Sequence, residues 1–297
     1  MSILVTGGTG SFGHHVVREL VAEGARVRVY SRDEEKQRRM AQAYPGVEFV
    51  IGDVRDRSRL RRAMHGIERV FHAAALKQVP QSEDHPYEAY LTNVVGTENV
   101  CSVAADAGAR VVLLSTDKAV EPVGVMGATK LLAERVCVDY GFNVVRYGNV
   151  IGSRGSIVPI FRTLIAQGRP ITVTDPGMTR FLITLGEAVG MIRLAMNAEP
   201  AGIIFVRKSP AATVRQIVRA MLPAPDYPVI VTGVRPGEKA HELLIAAHES
   251  AQDVGDHFEI TPVWTGGGMV YSSYDAPELS DDELRALIAE APTDDYR

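Results

Sequence analysis

The stretch ILVTGGTGSFG, residues 3–13, decides the fold of this chain. A short apolar run predicts a strand, and glycines then recur as Gly-x-x-Gly-x-x-Gly before a segment with helical periodicity. Glycines at these places permit a tight turn and let backbone N–H groups approach a pyrophosphate at the helix N-terminus. The stretch therefore predicts a dinucleotide site in a strand–turn–helix unit. The residues expected there are Gly7, Thr9, Gly10, Ser11, Phe12 and Gly13.

Strand-like and helix-like segments alternate from this stretch to about residue 151. Apolar runs predict the strands, and charged or amphipathic segments between them predict the helices, with one long helix over residues 86–108. This alternation predicts an α/β protein with a doubly wound parallel sheet of the Rossmann type and right-handed crossovers.

Beyond residue 151 the alternation becomes irregular, which predicts a second part of the molecule. We predict a smaller C-terminal substrate lobe in which residues 239–247 form a helix and residues 280–290 form another that begins with a capping box. The predicted domains are a dinucleotide-binding Rossmann domain at 1–151 plus about 185–206, and the lobe at about 152–184 plus 207–297.

Composition excludes several classes of function. The 297 residues carry a net charge of −4 without a long basic run, so no nucleic acid partner is expected. The chain shows no metal-ligand spacing, and its two cysteines, Cys101 and Cys137, are expected to be buried thiols. A strand begins at once and no apolar run has the length of a membrane span, so we expect neither signal peptide nor membrane contact and a cytoplasmic location.

The end of the second predicted strand bears on the choice of nicotinamide cofactor. An NAD site favours an acidic residue there, for the ribose 2′-hydroxyl, but this chain has Ser31 at that place. The adjacent Arg32 can pair with a 2′-phosphate, which favours NADP, while Asp33 could still serve NAD. After the third strand, Asp53 and Val54 are placed to meet the adenine.

Three functional side chains follow one another where the fifth predicted strand ends. They are Thr116, Asp117 and Lys118, and ligands of open α/β sheets gather outside the carboxyl ends of the strands. Lys130 lies on the next helix and Asn93 on the helix between. An ion pair that caps a turn would explain Asp117 and Lys118 alone, but not the whole set.

With these residues in view, the chain resembles the extended short-chain dehydrogenases/reductases, and among them the nucleotide-sugar 4,6-dehydratases of polysaccharide biosynthesis. The resemblance runs from residue 1 to about 245. The matching stretches are AAALKQVP at 73–80, STDKA at 115–119, VMGATK at 125–130, RYGNVIGSRGS at 146–156, DPGMTRF at 175–181 and RPGEK at 235–239.

The resemblance makes Met126 the most informative single residue. Four positions before Lys130, this family normally has the tyrosine of a Tyr-x-x-x-Lys pair, and a thioether has no proton to relay. Of the two branches that act on UDP-N-acetylglucosamine, the one that retains the configuration at carbon 5 carries methionine there. Ser31 and Arg32 are more typical of the inverting branch, but Met126 sits at the chemistry, so the resemblance implies a retaining enzyme. Many of its members carry an N-terminal membrane region, and this chain resembles only their catalytic part.

The resemblance also implies a separate catalytic or binding role for each of these residues. Lys118 would be the base at sugar carbon 5, Asp117 the acid for the leaving hydroxyl, and Thr116 the partner of the 4-hydroxyl. Burial and the charge of Lys130 would lower the pKa of Lys118 while Asp117 would raise it, so the balance stays open. Lys130 would hold the nicotinamide ribose, and Met126 would pack against nicotinamide or sugar.

Further positions follow from the matched stretches. Arg180 and Arg235 are candidates for the diphosphate, since a planar guanidinium suits phosphate oxygens. The other cofactor candidates are Ala73, Ala74, Ala75 and Asn93. The other substrate candidates are Lys77, Asn149, Ser156, Val158 and Glu238.

The expected function is thus a UDP-N-acetylglucosamine 4,6-dehydratase, a hydro-lyase that uses NADP or NAD. One alternative is a UDP-sugar epimerase, which would share the first hydride step without elimination. A second is an inactive NADP-binding scaffold or sensor, because fold and cofactor binding do not establish chemistry. A homo-oligomer is expected, with the helices at 86–108 and 128–140 at the interface if the family's arrangement is kept.

Overall fold

The structure is a computed structural model, and it describes residues 1–199, 202–261 and 268–292. Its strands are β1 Ser2–Thr6, β2 Arg26–Ser31, β3 Glu48–Ile51, β4 Arg69–His72, β5 Arg110–Leu114, β6 Asn143–Arg146, β7 Asn149–Val150, β8 Ile171–Val173, β9 Thr179–Ile183, β10 Ile204–Arg207, β11 Ala211–Thr213, β12 Val229–Val231, β13 Leu243–Ile245, β14 Ser250–Asp253, β15 His257–Thr261 and β16 Tyr271–Ser272. Its α-helices are α1 Ser11–Ala22, α2 Glu34–Ala43, α3 Arg57–Ala63, α4 Val79–Asp84, α5 Pro86–Tyr90, α6 Gly96–Ala107, α7 Val125–Asp139, α8 Ile157–Ala166, α9 Leu185–Asn197, α10 Val214–Met221 and α11 Asp281–Glu290.

One large sheet organises the molecule. Its order is β14-β15-β10-β6-β5-β4-β1-β2-β3, and the strands from β10 to β3 pair in parallel. The order 3-2-1-4-5-6 is that of the doubly wound Rossmann fold, which confirms the predicted fold class. The winding reverses between β1 and β4, so the crevice at the carboxyl ends of those two strands is the expected ligand site.

Apolar side chains cover both faces of this sheet. On one face, α1 and α9 pack over a core that includes Val5, Val16 and Ile192. On the other, α3 and α6 cover a core that includes Leu4 and Val100. A sheet buried on both faces requires nearly continuous apolar strands, which is why β1, β5 and β6 were recognisable as short apolar runs.

The helix predicted over residues 86–108 differs in detail. It consists of α5, a π-helical turn over Leu91–Val95, and α6, and it is preceded by the unpredicted short helix α4. The wider turn brings both Thr92 and Asn93 into the interior, where they are 3% and 1% exposed. π-turns inside helices are frequent at functional sites, and this one orients a predicted site residue.

The helix predicted over residues 239–247 is wrong. That segment is extended and contains β13, which pairs with β16. A short apolar run such as Leu243-Leu244-Ile245 fits a strand or a buried helix equally well, and only the distant partner strand decides between them. The capped helix near the C-terminus is confirmed, because the Ser280 and Glu283 side chains form a capping box at the start of α11.

A second core lies beside the large sheet. It packs α8, α10 and α11 against β8 and β9 through residues such as Phe161, Ile171 and Leu284. β14 and β15, which fall within the predicted substrate lobe, instead extend the large sheet, because β15 pairs antiparallel with β10 and buries Phe258 and Ile260. The division into two domains stays a prediction, and its residues 200–201, 262–267 and 293–297 lie outside those described.

Cys101 and Cys137 are buried free thiols, as predicted. Across the described ranges, none of the helices is both long and apolar enough to cross a membrane.

Candidate active site

The glycine turn after β1 lies directly against the end of β4. Gly7 has φ +67°, and a Cβ there would lie 2.8 Å from the Ala74 backbone nitrogen. A Cβ on Gly13 would lie 2.2 Å from the Gly8 carbonyl oxygen, so α1 begins in contact with the turn. Gly10 is the N-cap of α1 and has no side-chain cap, which leaves the first N–H groups of the helix available to a pyrophosphate. The backbone here therefore fits the diphosphate of a dinucleotide.

The end of β2 presents a cation and no free carboxylate. Ser31 is buried, and its Oγ accepts a hydrogen bond from Gln37. The Asp33 side chain caps α2 through the Lys36 N–H. The Arg32 side chain is 54% exposed and lies 3.6 Å from Asp53, whose carboxylate is held by Arg55 at 2.7 Å. The exposed guanidinium of Arg32 is thus the group at this strand end that could contact a 2′-phosphate.

A second set of predicted residues supports the loop after β4. The Asn93 side chain accepts from the Leu76 N–H at 2.8 Å and donates to the Leu76 carbonyl at 2.9 Å and to Thr129 at 3.0 Å. Asn93 is thus fully engaged within the protein, and it fixes the loop that contains Ala73, Ala74 and Ala75. Its contacts give it a positioning role beside the cofactor crevice.

Two cations lie on the other side of the glycine turn. The N–H of Arg154 donates to Ser11 at 3.0 Å, which ties the loop after β7 to the start of α1. Lys77 is exposed at the surface, and desolvation by the surrounding protein and the positive charge of Arg154 both lower its pKa. Arg154, which the sequence did not single out as a site residue, therefore adds positive charge where a diphosphate is expected.

Thr116, Asp117 and Lys118 form one hydrogen-bonded unit just beyond β5. Thr116 Oγ1 donates to Asp117 Oδ1 at 2.9 Å, and Lys118 Nζ donates to the same oxygen at 3.0 Å. The Asp117 N–H is anchored to the Tyr147 carbonyl, and its side chain is fully buried. Lys118 is about a quarter exposed and also reaches Asn149 Oδ1 at 3.3 Å. The turn thus holds an acid and an amine beside each other at the carboxyl edge of the sheet.

The charges of this unit are set by burial and by one another. Burial raises the pKa of Asp117 against the charge of Lys118, and Glu242 adds to the rise. Burial by itself would lower the pKa of Lys118, but Asp117 and Glu242 outweigh it, and the pKa lies above its ordinary value. Lys130, which was expected to lower this pKa, is not among its main causes. Because the pKa is raised, Lys118 carries its charge at neutral pH in the protein without substrate.

Glu242 is a second site residue, after Arg154, that sequence reasoning missed. Its carboxylate is 2% exposed and lies 3.2 Å from Lys118 Nζ and 3.6 Å from Lys239 Nζ. It follows the RPGEK stretch by only three positions, but the segment was predicted to be helical, which hid its approach to the end of β5.

Met126 and Lys130 lie on α7, whose start packs on the turn formed by Asp117, Lys118 and Ala119. A Cβ on Gly127 would lie 2.2 Å from the Lys118 carbonyl oxygen, so helix and turn are in direct contact. Met126 is 4% exposed. Lys130 Nζ donates to the Leu114 carbonyl at 2.6 Å, and burial lowers its pKa to about 8 while Glu134 opposes that shift.

The predicted substrate residues occupy different surroundings. Ser156 is the N-cap of α8, with a buried hydroxyl that has no partner among the described residues. The Val158 side chain lies in the second core, so only its backbone can face a nucleotide. Arg180 donates to the Thr179 and Ala240 carbonyls and acts electrostatically on Lys118. Arg235 is exposed, and its backbone N–H donates to Glu238.

A cavity of about 960 Å³ lies elsewhere, on the outer side of α1 and α2 next to the end of α11. Its lining includes Arg18, Tyr44 and Leu287 but neither Asp117 nor Lys118. Hydrogen bonding and charge at the carboxyl ends of β1, β4 and β5, rather than this cavity volume, identify the candidate active site.

Comparison with known proteins agrees with this geometry. The family described as "Polysaccharide biosynthesis protein" matches residues 3–262. The UDP-glucose 4-epimerase of Rickettsia canadensis (strain McKiel) is 42% identical over 294 residues, covering 92% of this chain and 86% of that protein.

Solved structures show the same fold. Pen from Bacillus thuringiensis superposes with a TM-score of 0.93 at 33% identity, covering 98% of this chain and 97% of its own. The DesIV double mutant, a dTDP-glucose 4,6-dehydratase from Streptomyces venezuelae with NAD bound, superposes with a TM-score of 0.73 at 25% identity, covering 81% of this chain and 87% of its own. The chain therefore belongs to the polysaccharide biosynthesis protein family and has the fold of an extended short-chain dehydrogenase/reductase.

Proposed function

We propose that this protein is a nucleotide-sugar 4,6-dehydratase that acts on UDP-N-acetylglucosamine with retention at carbon 5. Such a reaction oxidises carbon 4, eliminates water across carbons 5 and 6, and returns the hydride to carbon 6. A bound nicotinamide supplies the reversible hydride acceptor. Elimination additionally requires a base for the carbon 5 proton and an acid for the departing hydroxyl.

The Asp117–Lys118 pair is the observation that carries this proposal. A simple exchange of hydride at carbon 4 needs one proton relay, whereas elimination needs an acid and a base close together. Burial raises the pKa of Asp117, so the carboxylate would hold a proton received during oxidation at carbon 4 and pass it on as the acid for the departing hydroxyl. Thr116, hydrogen-bonded to Asp117, offers a path for the 4-hydroxyl proton that does not need a tyrosine in place of Met126.

The remaining residues would bind and orient. Lys130, a buried cation next to the end of β5, would hold the nicotinamide ribose. Arg32 would contact a 2′-phosphate, so NADP is the proposed cofactor, although the compared DesIV structure contains NAD. Arg180 and Arg235 would contact the diphosphate of the sugar nucleotide, with Asn149, Ser156 and Glu238 along the nucleotide. A cytoplasmic location and a homo-oligomer remain predictions.

One incubation tests the proposal. Purified protein with NADP and UDP-N-acetylglucosamine in deuterated water should give a product that has lost one water, carries deuterium at carbon 5 and keeps the configuration there. A product with inverted carbon 5 would retain the dehydratase assignment and refute the stereochemical one.

An epimerase is the second candidate, favoured by the name of the Rickettsia relative. It predicts a product of unchanged mass with altered chromatographic retention. No conversion of any UDP-hexose, with NADPH binding intact, would instead support the inactive scaffold.

A further inference from the structure

Glu242 is a buried carboxylate between two lysines. Its Oε1 lies 3.2 Å from Lys118 Nζ and its Oε2 lies 3.6 Å from Lys239 Nζ. Lys239 is itself held, because its Nζ donates to the Val120 carbonyl at 2.6 Å. Glu242 Oε2 accepts no hydrogen bond from the residues that the structure describes. A buried carboxylate with so few hydrogen bonds is stabilised chiefly by the cations around it.

The backbone around Glu242 is clamped on both sides. Its N–H donates to Ser273 Oγ at 2.9 Å, and its carbonyl accepts from the Ser273 N–H at 2.9 Å. The preceding Ala240 carbonyl accepts from the Thr179 N–H and from the Arg180 guanidinium, both at 3.1 Å. The backbone of Glu242 therefore has a fixed position, from which its side chain reaches the longer and more flexible side chain of Lys118.

The charged groups that face Lys118 and Glu242 come from three parts of the fold. Asp117 lies on the turn after β5, Arg180 on β9, and Lys239 before β13. Burial would raise the pKa of Glu242, but Lys118, Arg180 and Lys239 together lower it, so the carboxylate is charged. Lys118 thus lies between two acidic side chains, one beside it in sequence and one brought by the fold.

We propose that Glu242 is a positioning residue for Lys118: its carboxylate, carried on a clamped backbone, fixes where the amine lies relative to Asp117 and Asn149 and holds the positive charge on it. The expected effect on turnover rests on the proposed function, whereas the expected effect on the protonation of Lys118 in the free protein does not. Since Lys118 must lose a proton to act as a base, Glu242 raises, together with Asp117, the pH at which the base is available.

The first test measures Lys118 directly, without turnover. Trace acetylation by acetic anhydride over a range of pH, followed by mass spectrometry of the Lys118 peptide, gives the midpoint at which the amine becomes reactive. Removal of the adjacent negative charge in Glu242→Gln should lower that midpoint by about one pH unit or more. Glu242→Asp keeps the charge on a shorter side chain and should lower it less. Glu259→Gln, at a half-exposed position on β15, is the matched control and should leave it unchanged.

The second test uses the pH dependence of turnover. In Glu242→Gln the limb on which kcat rises with pH should move to lower pH, and the plateau should fall by about ten- to a hundredfold because the amine is no longer held. Glu242→Asp should keep the limb nearer to that of the native protein. Thermal melting of each variant shows whether it is folded. If Glu242→Gln is unfolded, the pH dependence of Glu242→Asp tests the inference instead.

A Lys118 midpoint that is the same in the native protein, Glu242→Asp and Glu242→Gln would overturn the inference. Absence of dehydratase activity in the native protein would refute the proposed function instead, and the acetylation midpoints would still decide the role of Glu242.

Discussion

At the end of β5, two adjacent residues carry opposite charges in surroundings that exclude most water. Asp117 is fully buried and Lys118 is about a quarter exposed, so each strongly affects the protonation of the other. Burial raises the pKa of Asp117, and the carboxylates of Asp117 and Glu242 raise the pKa of Lys118 against the effect of burial. Single substitutions can separate the proposed role of Asp117 as an acid from the proposed role of Lys118 as a base.

Asp117→Asn and Lys118→Ala should each reduce turnover of UDP-N-acetylglucosamine by about a hundred- to ten-thousand-fold, the usual contribution of a general acid or base. NADPH binding, followed by fluorescence, should persist in both. Lys208→Ala, which removes a lysine paired with Asp253 away from the site, should retain turnover. Unchanged turnover in either site variant would refute its assignment.

Arg32→Ala should weaken NADPH binding by about tenfold, since one charge-assisted hydrogen bond to a phosphate is lost. NADH binding should change much less. Parallel fluorescence titrations measure both, with Arg38→Ala on the exposed face of α2 as the control. Equal weakening for the two nucleotides would assign Arg32 to the adenine or the surface rather than to the 2′-phosphate.

At the scale of elements, a buried arginine joins three segments of the chain. Arg146 at the end of β6 is fully buried and pairs with Glu134 of α7 at 2.7 Å and with Glu249, just before β14, at 2.9 Å. It also donates to the Leu244 carbonyl in β13. The network holds the C-terminal segment that contains Glu242 against the helix that contains Lys130. Removal of one partner leaves a buried charge uncompensated.

Glu249→Ala should therefore lower the free energy of unfolding by about 3 kcal/mol, as measured by urea denaturation. Burial would raise the pKa of Glu249, but Arg146 outweighs it and the pKa is lowered. The stabilisation is thus present above the carboxyl's ordinary pKa and is lost as the pH falls through the lowered value. Glu259→Gln should change the free energy of unfolding little at any pH. An equal loss of stability in Glu249→Ala and Glu259→Gln would contradict the role of the network.

At the scale of the whole molecule, α5 and α7 expose apolar side chains on one side of the Rossmann domain. Tyr87, Tyr90 and Leu132 are 68%, 43% and 50% exposed. These are the helices expected at a subunit interface, and exposed apolar residues grouped on such helices are typical of one.

Leu132→Glu should therefore convert the expected homo-oligomer toward monomer, as measured by light scattering after gel filtration. Burial of an unpaired charge at an interface costs several kcal/mol, which is enough to dissociate a typical contact. Leu194→Glu, at a similarly exposed position on α9, should leave the mass unchanged. A native protein that is monomeric at all concentrations would refute the expectation itself.

The sequence by itself determined the Rossmann half of the molecule and most of the candidate site. Strand, glycine turn and helix follow within thirteen residues, and Thr116, Asp117 and Lys118 are neighbours in the chain, so local pattern suffices to predict them. Only the tertiary structure decided the rest. β13 is a strand because it pairs with β16, and local pattern could not predict this because β16 is distant in sequence. With that pairing formed, Glu242 lies beside Lys118. The charge on Lys118 depends on burial, on its chain neighbour Asp117 and on Glu242, and of these only Asp117 is visible in the local sequence.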